Sequence, residues 1–301
     1  MAKVKTALIC EGGGMKSAFA AGAVYELARF LKISHFDILI GASSSAPIFA
    51  YFLTGQLEEI KRIWEEETSQ IVTKKKSQFL KGEPMFNTDY LVDKILHERH
   101  PLNLEKLEKS PVDLFIPFYN FKADRIEFYH NHATGKKINI WQALKATMAI
   151  HDHHLKQCED LSHCVDPGLV CPLIYEQAII LGATHYLVIS NQKTFNATLK
   201  RWLGFKLFKL FQGRKFPAEI KLKLKQYNKM NKKSRLAMRA FVLQENVLLI
   251  KPPDQAKLKF FSHKSSQTKK AITWGRAAAR ALRDHPLIKI FQDRSREIAN
   301  Q

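Results

Sequence analysis

Short apolar runs alternate with longer stretches of helical periodicity through the first two thirds of the chain. Val4–Cys10 is a brief apolar run that stops at Gly12, Gly13 and Gly14, which predicts a buried strand. Ser17–Leu31 is alanine-rich, with apolar positions at helical spacing, and predicts a helix. The alternation then repeats. Phe36–Gly41 predicts a second buried strand and Ala46–Leu53 a helix; Leu57–Gln70 predicts a helix with an exposed acidic face. Lys74–Lys76 reads as a surface loop and Asp89–His97 as a helix. Val112–Phe121 is apolar and β-prone, and Arg125–His130 is expected to pair with it across a polar turn. Ile138–Ile150 and Tyr175–Leu181 predict helices, and Thr184–Ser190 predicts a strand. Strands separated by helices predict an α/β fold, with a mainly parallel sheet covered on both faces.

The character changes after Gln192. Lys200–Arg239 is rich in Lys, Arg, Phe and Leu. A short strand at Asn246–Ile250 and helices at Ser265–Arg283 and Leu287–Ala299 are expected beyond it. No repeat or low-complexity linker separates the two parts. The expected organisation is therefore an α/β domain over 1–193 and a mostly helical region over 194–301 packed on it. Charge sharpens this division. The net charge is +20, yet residues 1–193 carry 22 Lys+Arg against 22 Asp+Glu. Residues 194–301 hold 26 basic residues and only 6 acidic ones. A block of that sign suits an anionic phospholipid surface, a nucleic acid or an acidic partner; a solvated basic surface is the plainer reading. Against nucleic acid, the chain has no zinc-finger or RRM signature and no basic recognition helix.

The apolar stretch after Met1 is too short for a signal peptide and runs directly into the glycines. No run of 18 apolar residues occurs. A cytoplasmic protein is expected, peripheral at a membrane if the basic block binds one. The four cysteines, Cys10, Cys158, Cys164 and Cys171, are too few in so long a chain to predict a disulfide framework.

Three motifs carry candidate chemistry. Gly41-Ala42-Ser43-Ser44-Ser45-Ala46 lies between an apolar strand and a helix. A nucleophile elbow needs that placement, with small residues two positions either side of the serine. Gly41 and Ser45 meet that need and centre the motif on Ser43, although such a serine could equally cap the helix. Glu11-Gly12-Gly13-Gly14-Met15-Lys16 also joins a strand to a helix. Its N–H groups could form an oxyanion hole or a phosphate cradle, with Lys16 adding positive charge beside the anion, or the glycines could simply make a turn. The spacing fits neither the Walker A nor the dinucleotide pattern. Val165-Asp166-Pro167-Gly168 places a carboxylate at a turn, where it could act as general base or only shape the chain.

Taken in order, the glycine loop, Gly-x-Ser-x-small and Asp-x-Gly resemble the bacterial patatin-like phospholipases. The resemblance runs from about Val4 to Ile189. Beyond it, Gln226-Tyr227-Asn228 and Val247-Leu248-Leu249-Ile250-Lys251-Pro252 are similar to the C-terminal region of a bacterial subgroup. It implies a three-layer α/β/α sandwich and a lipid acyl hydrolase, a carboxylic ester hydrolase working without a cofactor or metal. It also implies a Ser43–Asp166 dyad and an oxyanion hole from Gly12, Gly13 and Gly14. Four departures mark this chain. The stretch before the dyad, which in the family normally reads Ala-Ser-x-Ala-x-Pro, is here Ala146-Thr147-Met148-Ala149-Ile150-His151, without the proline. Ser17 and Ser45 stand where the family usually has glycine, and Pro167 follows the aspartate. Proline fixes φ and removes an N–H, so it threatens to swing Asp166 away from Ser43. The alternative is a catalytically inactive patatin-like protein that binds lipid or protein.

Two further segments carry side chains of functional interest. His151-Asp152-His153-His154, Cys158, His163-Cys164 and Cys171 have the side chains of a zinc site but not its spacing, and read as a polar loop. Leu199–Phe211 interleaves Lys200, Arg201, Lys206 and Lys209 with Trp202, Phe205, Phe208 and Phe211. At 100° per residue its apolar positions fall all round the wheel, so a clean amphipathic anchor is not expected.

Overall fold

A computed structural model of the chain describes residues 3–72, 86–133, 138–149, 161–194 and 218–300. Lys74–Lys76, His151–Cys158 and Leu199–Phe211 lie outside the described residues.

Seven strands form one mixed sheet: β1 Thr6–Cys10, β2 Ile38–Gly41, β3 Asp113–Asn120, β4 Arg125–His130, β5 Cys164–Val165, β6 His185–Ile189 and β7 Val247–Ile250. The spatial order is β4-β3-β2-β1-β6-β7, with β5 also paired to β3. β1 is parallel to β2 and β6, β2 to β3, and β6 to β7; β4 and β5 run antiparallel to β3. The strand at Asn246–Ile250 therefore belongs to the same sheet as the first strand of the chain.

Side-chain alternation sorts the sheet residues into two cores. Leu8, Cys10, Leu39, Leu114, Ile116, Leu187 and Leu248 face one layer of helices. Ala7, Ile9, Ile38, Ile40, Phe115, Val188 and Val247 face the other. The first layer contains α1 Ala18–Arg29, α2 Ala46–Leu53, α5 Ile140–Thr147, α8 Ser265–Arg280 and α9 Pro286–Ala299. The short α3 Leu57–Arg62 and α4 Leu104–Lys109 flank it. The second contains α6 Glu176–Ile180 and the end of α7 Ala218–Phe241. This is the expected three-layer α/β/α arrangement. Among the described residues, no helix is long and apolar enough to cross a membrane.

Several boundaries move. The helix expected over Leu57–Gln70 is α-helical only to Arg62; Ile63–Glu67 takes wider π-type turns and Thr68–Gln70 a tight one. Tyr90–Arg99 is likewise π-helical. α5 is shorter than Ile138–Ile150, because the Asn139 side chain accepts the Trp141 N–H and sets its start.

Two contacts fix the last helices to the first elements. α8 crosses α1 with backbone against backbone. A methyl group added at Gly22 would sit 2.1 Å from Ile272 O, and one at Gly275 would sit 1.9 Å from Phe19 O. Beside this crossing the buried Glu26 accepts from Arg276 Nε (2.8 Å) and Arg280 Nε (2.7 Å). α9 brings the buried Arg294 to Asp37, whose Oδ2 also accepts the Thr6 N–H at 2.7 Å. The guanidinium and the Thr6 N–H outweigh the cost of burial and hold the Asp37 carboxyl below its ordinary range.

Candidate active site

β2 ends at Gly41, Ala42 remains extended, and Ser43 then turns into the left-handed region with φ +53°. A non-glycine residue rarely holds that conformation unless its surroundings fix it. Here they do: Ser43 N–H donates to Thr147 Oγ1 (2.9 Å), whose hydroxyl donates to Pro117 O (2.6 Å). One tight turn later α2 begins, with Pro47 in its first turn, where a missing N–H leaves no helix bond unmade. The positive end of that helix lies directly behind Ser43. Gly41 is needed for space, since a methyl there would lie 3.0 Å from Phe49 and 3.1 Å from Ser45 O.

The glycine loop closes over this turn. Any side chain at Gly12 would place its first carbon 2.5 Å from Ser43 Cβ and 3.2 Å from Ser43 Oγ. Gly14 has φ +55°, the left-handed region that glycine enters without penalty. Gly13 N–H donates to Ser44 Oγ at 3.3 Å. Met15 N–H donates to Phe260 O at 3.1 Å, so the chain leading into α8 pins the loop. Lys16 is half-buried in the turn that follows and is already engaged within the chain.

The serines at 17 and 45 sit in ordinary right-handed conformations, so neither position demands glycine here. Their hydroxyls fill the space between loop and elbow. Ser45 Oγ donates to Glu11 O (2.8 Å), and the Ser17 hydroxyl lies 2.8 Å from that of Ser44. Asn191 Nδ2 donates to Glu11 O (2.9 Å) and to Ser17 Oγ (3.0 Å). Glu11 itself is buried and accepts from Ser190 Oγ (2.5 Å) and Gln192 Nε2. The adjacent Cys10 thiol is pushed well above its ordinary value by burial and is no competing nucleophile. Cys10 and Cys171 carry free thiols.

Asp166 reaches Ser43 through the sheet. β3 is longer than β2. Where β2 has ended, Tyr119 and Asn120 pair with β4 on one side and with Cys164–Val165 on the other. β5 therefore occupies the side of β3 that β2 vacates, and the residues following β2 and β5 meet. The Asp166 carboxylate lies beside the Ser43 side chain. Its Oδ1 accepts the Gly168 N–H at 2.7 Å. Burial pushes its pKa up to about 6, against the lowering effect of the nearby Ser43 and of the Gly168 N–H.

Pro167 does not disturb this geometry. It occupies the first position of the tight turn Pro167–Leu169, where no hydrogen bond needs its N–H. An extended residue before it is what the turn requires, and Asp166 has φ −51° and ψ 120°. α7 steadies the turn from outside: Asn231 Nδ2 donates to Gly168 O (2.8 Å), and Arg235 Nε donates to Asn231 Oδ1 (2.8 Å).

The structure thus gathers Ser43, Asp166, Gly12, Gly13 and Gly14 in one place. Lys16 lies just beyond the loop, with Gly41 and Ser45 beneath the turn. The sequence reading missed Asn191 and Asn231, which hold these residues without belonging to any motif, and gave Thr147 no role although it lies in the stretch Ala146–His151.

Residues 8–150 match the model of the family described as patatin-like phospholipase. Over that span the chain is similar to the patatin-like phospholipase family. The matched span contains the glycine loop and Ser43; Asp166 follows it. An uncharacterized protein of Escherichia coli K12, YjjU, is 23% identical over 209 residues, 66% of this chain. The alignment spans 57% of that relative's length.

Proposed function

We propose that this chain is a serine acyl hydrolase that cleaves a phospholipid or another lipid ester. The observation that carries the reading is Ser43, held in a left-handed turn, beside the half-buried Asp166 carboxylate, whose pKa is raised to about 6. A base titrating there is ionised at neutral pH yet basic enough to take a proton in a transition state.

In this mechanism Ser43 Oγ attacks the ester carbonyl while its proton passes to Asp166. Negative charge develops on the carbonyl oxygen, and the N–H groups of Gly12, Gly13 and Gly14 stabilise it. Gly13 first exchanges its long bond to Ser44 for the oxyanion. Asp166 then protonates the leaving alcohol. Water attacks the acyl-serine with Asp166 again as base, and Ser43 is released. Lys16 adds positive charge for an anionic headgroup. No step calls for a cofactor or metal.

A fluorophosphonate probe tests the dyad. Wild-type protein is expected to be labelled, Ser43→Ala unlabelled, and Asp166→Asn labelled far more slowly. Unlabelled wild type with an intact circular dichroism spectrum would overturn the reading in favour of the inactive lipid- or protein-binding alternative. Pro167, in its relaxed turn, lends that alternative no support.

The basic C-terminal third supplies the encounter with substrate. On α7, Lys229, Lys232, Lys233 and Arg239 are exposed, while Tyr227, Arg235, Met238 and Phe241 face inward. Leu236 is 58% exposed on the outward side and Leu243, just beyond the helix, is 83% exposed. Each basic residue near an anionic bilayer contributes about 1 kcal/mol at best, so a few suffice. Co-sedimentation is expected with phosphatidylglycerol vesicles and not with phosphatidylcholine vesicles, weakening as salt rises. Binding indifferent to both lipid charge and salt counts against this surface.

A further inference from the structure

The far end of β3 carries a second constellation. Asp113 opens β3, and His130 closes β4 opposite Phe115. In antiparallel register the chain then places His132 opposite Asp113, with both histidines on the same face as the carboxylate. Asn131 turns the other way and is buried. It donates through Nδ2 to Leu107 O (3.1 Å) and Val112 O (3.0 Å) and accepts the Leu114 N–H (2.8 Å). The two histidines therefore hang from a fixed backbone. His130 is further held by stacking on Phe115, with ring centroids 4.3 Å apart and planes at 6°.

The donor atoms converge. His130 Nε2 lies 2.8 Å and His132 Nδ1 3.2 Å from Asp113 Oδ1, and all three ligand atoms fall within 4.8 Å of one another. His132 Nε2 lies 2.8 Å from Ser110 O, an acceptor only, so Nε2 carries a proton. The Asn131 amide cannot compete, because both its hydrogens are already given to carbonyls. In the neutral ring the Nδ1 lone pair then faces a carboxylate oxygen, and only a proton or a cation between them makes that contact favourable. A histidine whose other nitrogen donates to a backbone carbonyl is the arrangement that orients metal ligands. Tetrahedral zinc with ligands at about 2.0–2.1 Å separates ligand atoms by about 3.3 Å, close to the 3.2 Å between His132 Nδ1 and Asp113 Oδ1 and roughly half an ångström more than the 2.8 Å from His130 Nε2, so small side-chain shifts would admit the ion.

We propose that Asp113, His130 and His132 bind a divalent transition-metal ion of the zinc type, with water completing the coordination. The three side chains are 27–33% exposed, open to a hydrated ion. The site lies roughly 20 Å along β3 from the strand pair that carries Asp166, at about 3.3 Å per residue. It is thus separate from the ester chemistry. Its effect is to clamp β4, the edge strand, to the start of β3.

Metal-stripped full-length protein should be titrated with Zn²⁺ alone by calorimetry, and with Co²⁺ by visible absorption. One Zn²⁺ per chain at micromolar affinity or better is expected, with a d–d band of tetrahedral intensity for Co²⁺ and a rise in Tm. His132→Gln and Asp113→Asn should each weaken binding at least about 100-fold, since even outer partners of a ligand are worth about 10–100-fold. Ser43→Ala, and a chain with His151, His153 and His154 all changed to Gln, should titrate like wild type. Binding that survives His132→Gln and Asp113→Asn, or no saturable binding below about 100 µM, would overturn the assignment.

Discussion

Asp166→Asn is expected to lower ester hydrolysis by about 10²–10⁴-fold, the usual worth of a general base, while making the protein more stable at neutral pH. Both effects come from one cause. The wild-type carboxyl is raised from 3.8 to about 6, chiefly by burial. Hydrolysis by the wild type should accordingly rise with pH through about 6, as Asp166 becomes able to accept a proton. For stability the sign is opposite. Between about pH 4 and 6 the native state holds a proton that the unfolded chain has released, so stability falls as pH rises. Above pH 6 the penalty is constant, on the order of 2–3 kcal/mol. Asparagine carries no such penalty and still offers an oxygen to the Gly168 N–H. Calorimetry from pH 4 to 8 should therefore show the variant's Tm advantage growing to several degrees by pH 6.5 and then levelling off. An Asp166→Asn protein that hydrolyses within a factor of a few of wild type would remove Asp166 from the mechanism.

Gly275→Ala should cost stability far more than a single methyl group suggests. In an open helix the change gains up to about 1 kcal/mol of helix propensity. Here the methyl would stand 1.9 Å from Phe19 O and 2.9 Å from Ala23 N, and neither backbone atom can rotate away. Overpacking of this kind typically costs 1–3 kcal/mol and sometimes more; with backbone on both sides the upper end applies. The expected result is a net loss of about 2 kcal/mol or more and a Tm lower by roughly 4 °C or more. Activity should fall as well, because the chain entering α8 bonds the glycine loop at Met15. A Tm within 2 °C of wild type would mean that the helices do not meet backbone to backbone.

The parts of the fold legible in the sequence are those governed by local periodicity and small residues. Strands β1, β2, β3 and β6, helices α1 and α2, the left-handed serine and the glycine loop each leave a contiguous signature. What stayed hidden depends on partners far along the chain. Gly22 and Gly275 are each an isolated glycine in an alanine-rich helix, and only the close crossing of α1 and α8 explains them. Ser17 and Ser45 read as departures from a glycine pattern, because the Asn191 amide that binds Ser17 cannot be inferred locally. Pro167 read as a threat because its consequence depends on whether its missing N–H would have been used. β5 is two residues long, below any periodic signal. Asp113, His130 and His132 match no familiar metal spacing, since a hairpin register brings them together.

The order of strands in space is not their order of synthesis. β1 is made first and finds β2 within a few dozen residues, but its other edge waits for β6, and β6 in turn waits for β7. During that interval an apolar parallel strand, Thr6–Cys10, has an open row of hydrogen-bonding groups. Such an edge can pair with the same segment of another nascent chain. The sheet that brings Ser43 and Asp166 together thus makes the earliest-made strand the one longest exposed to self-association while the protein is being produced.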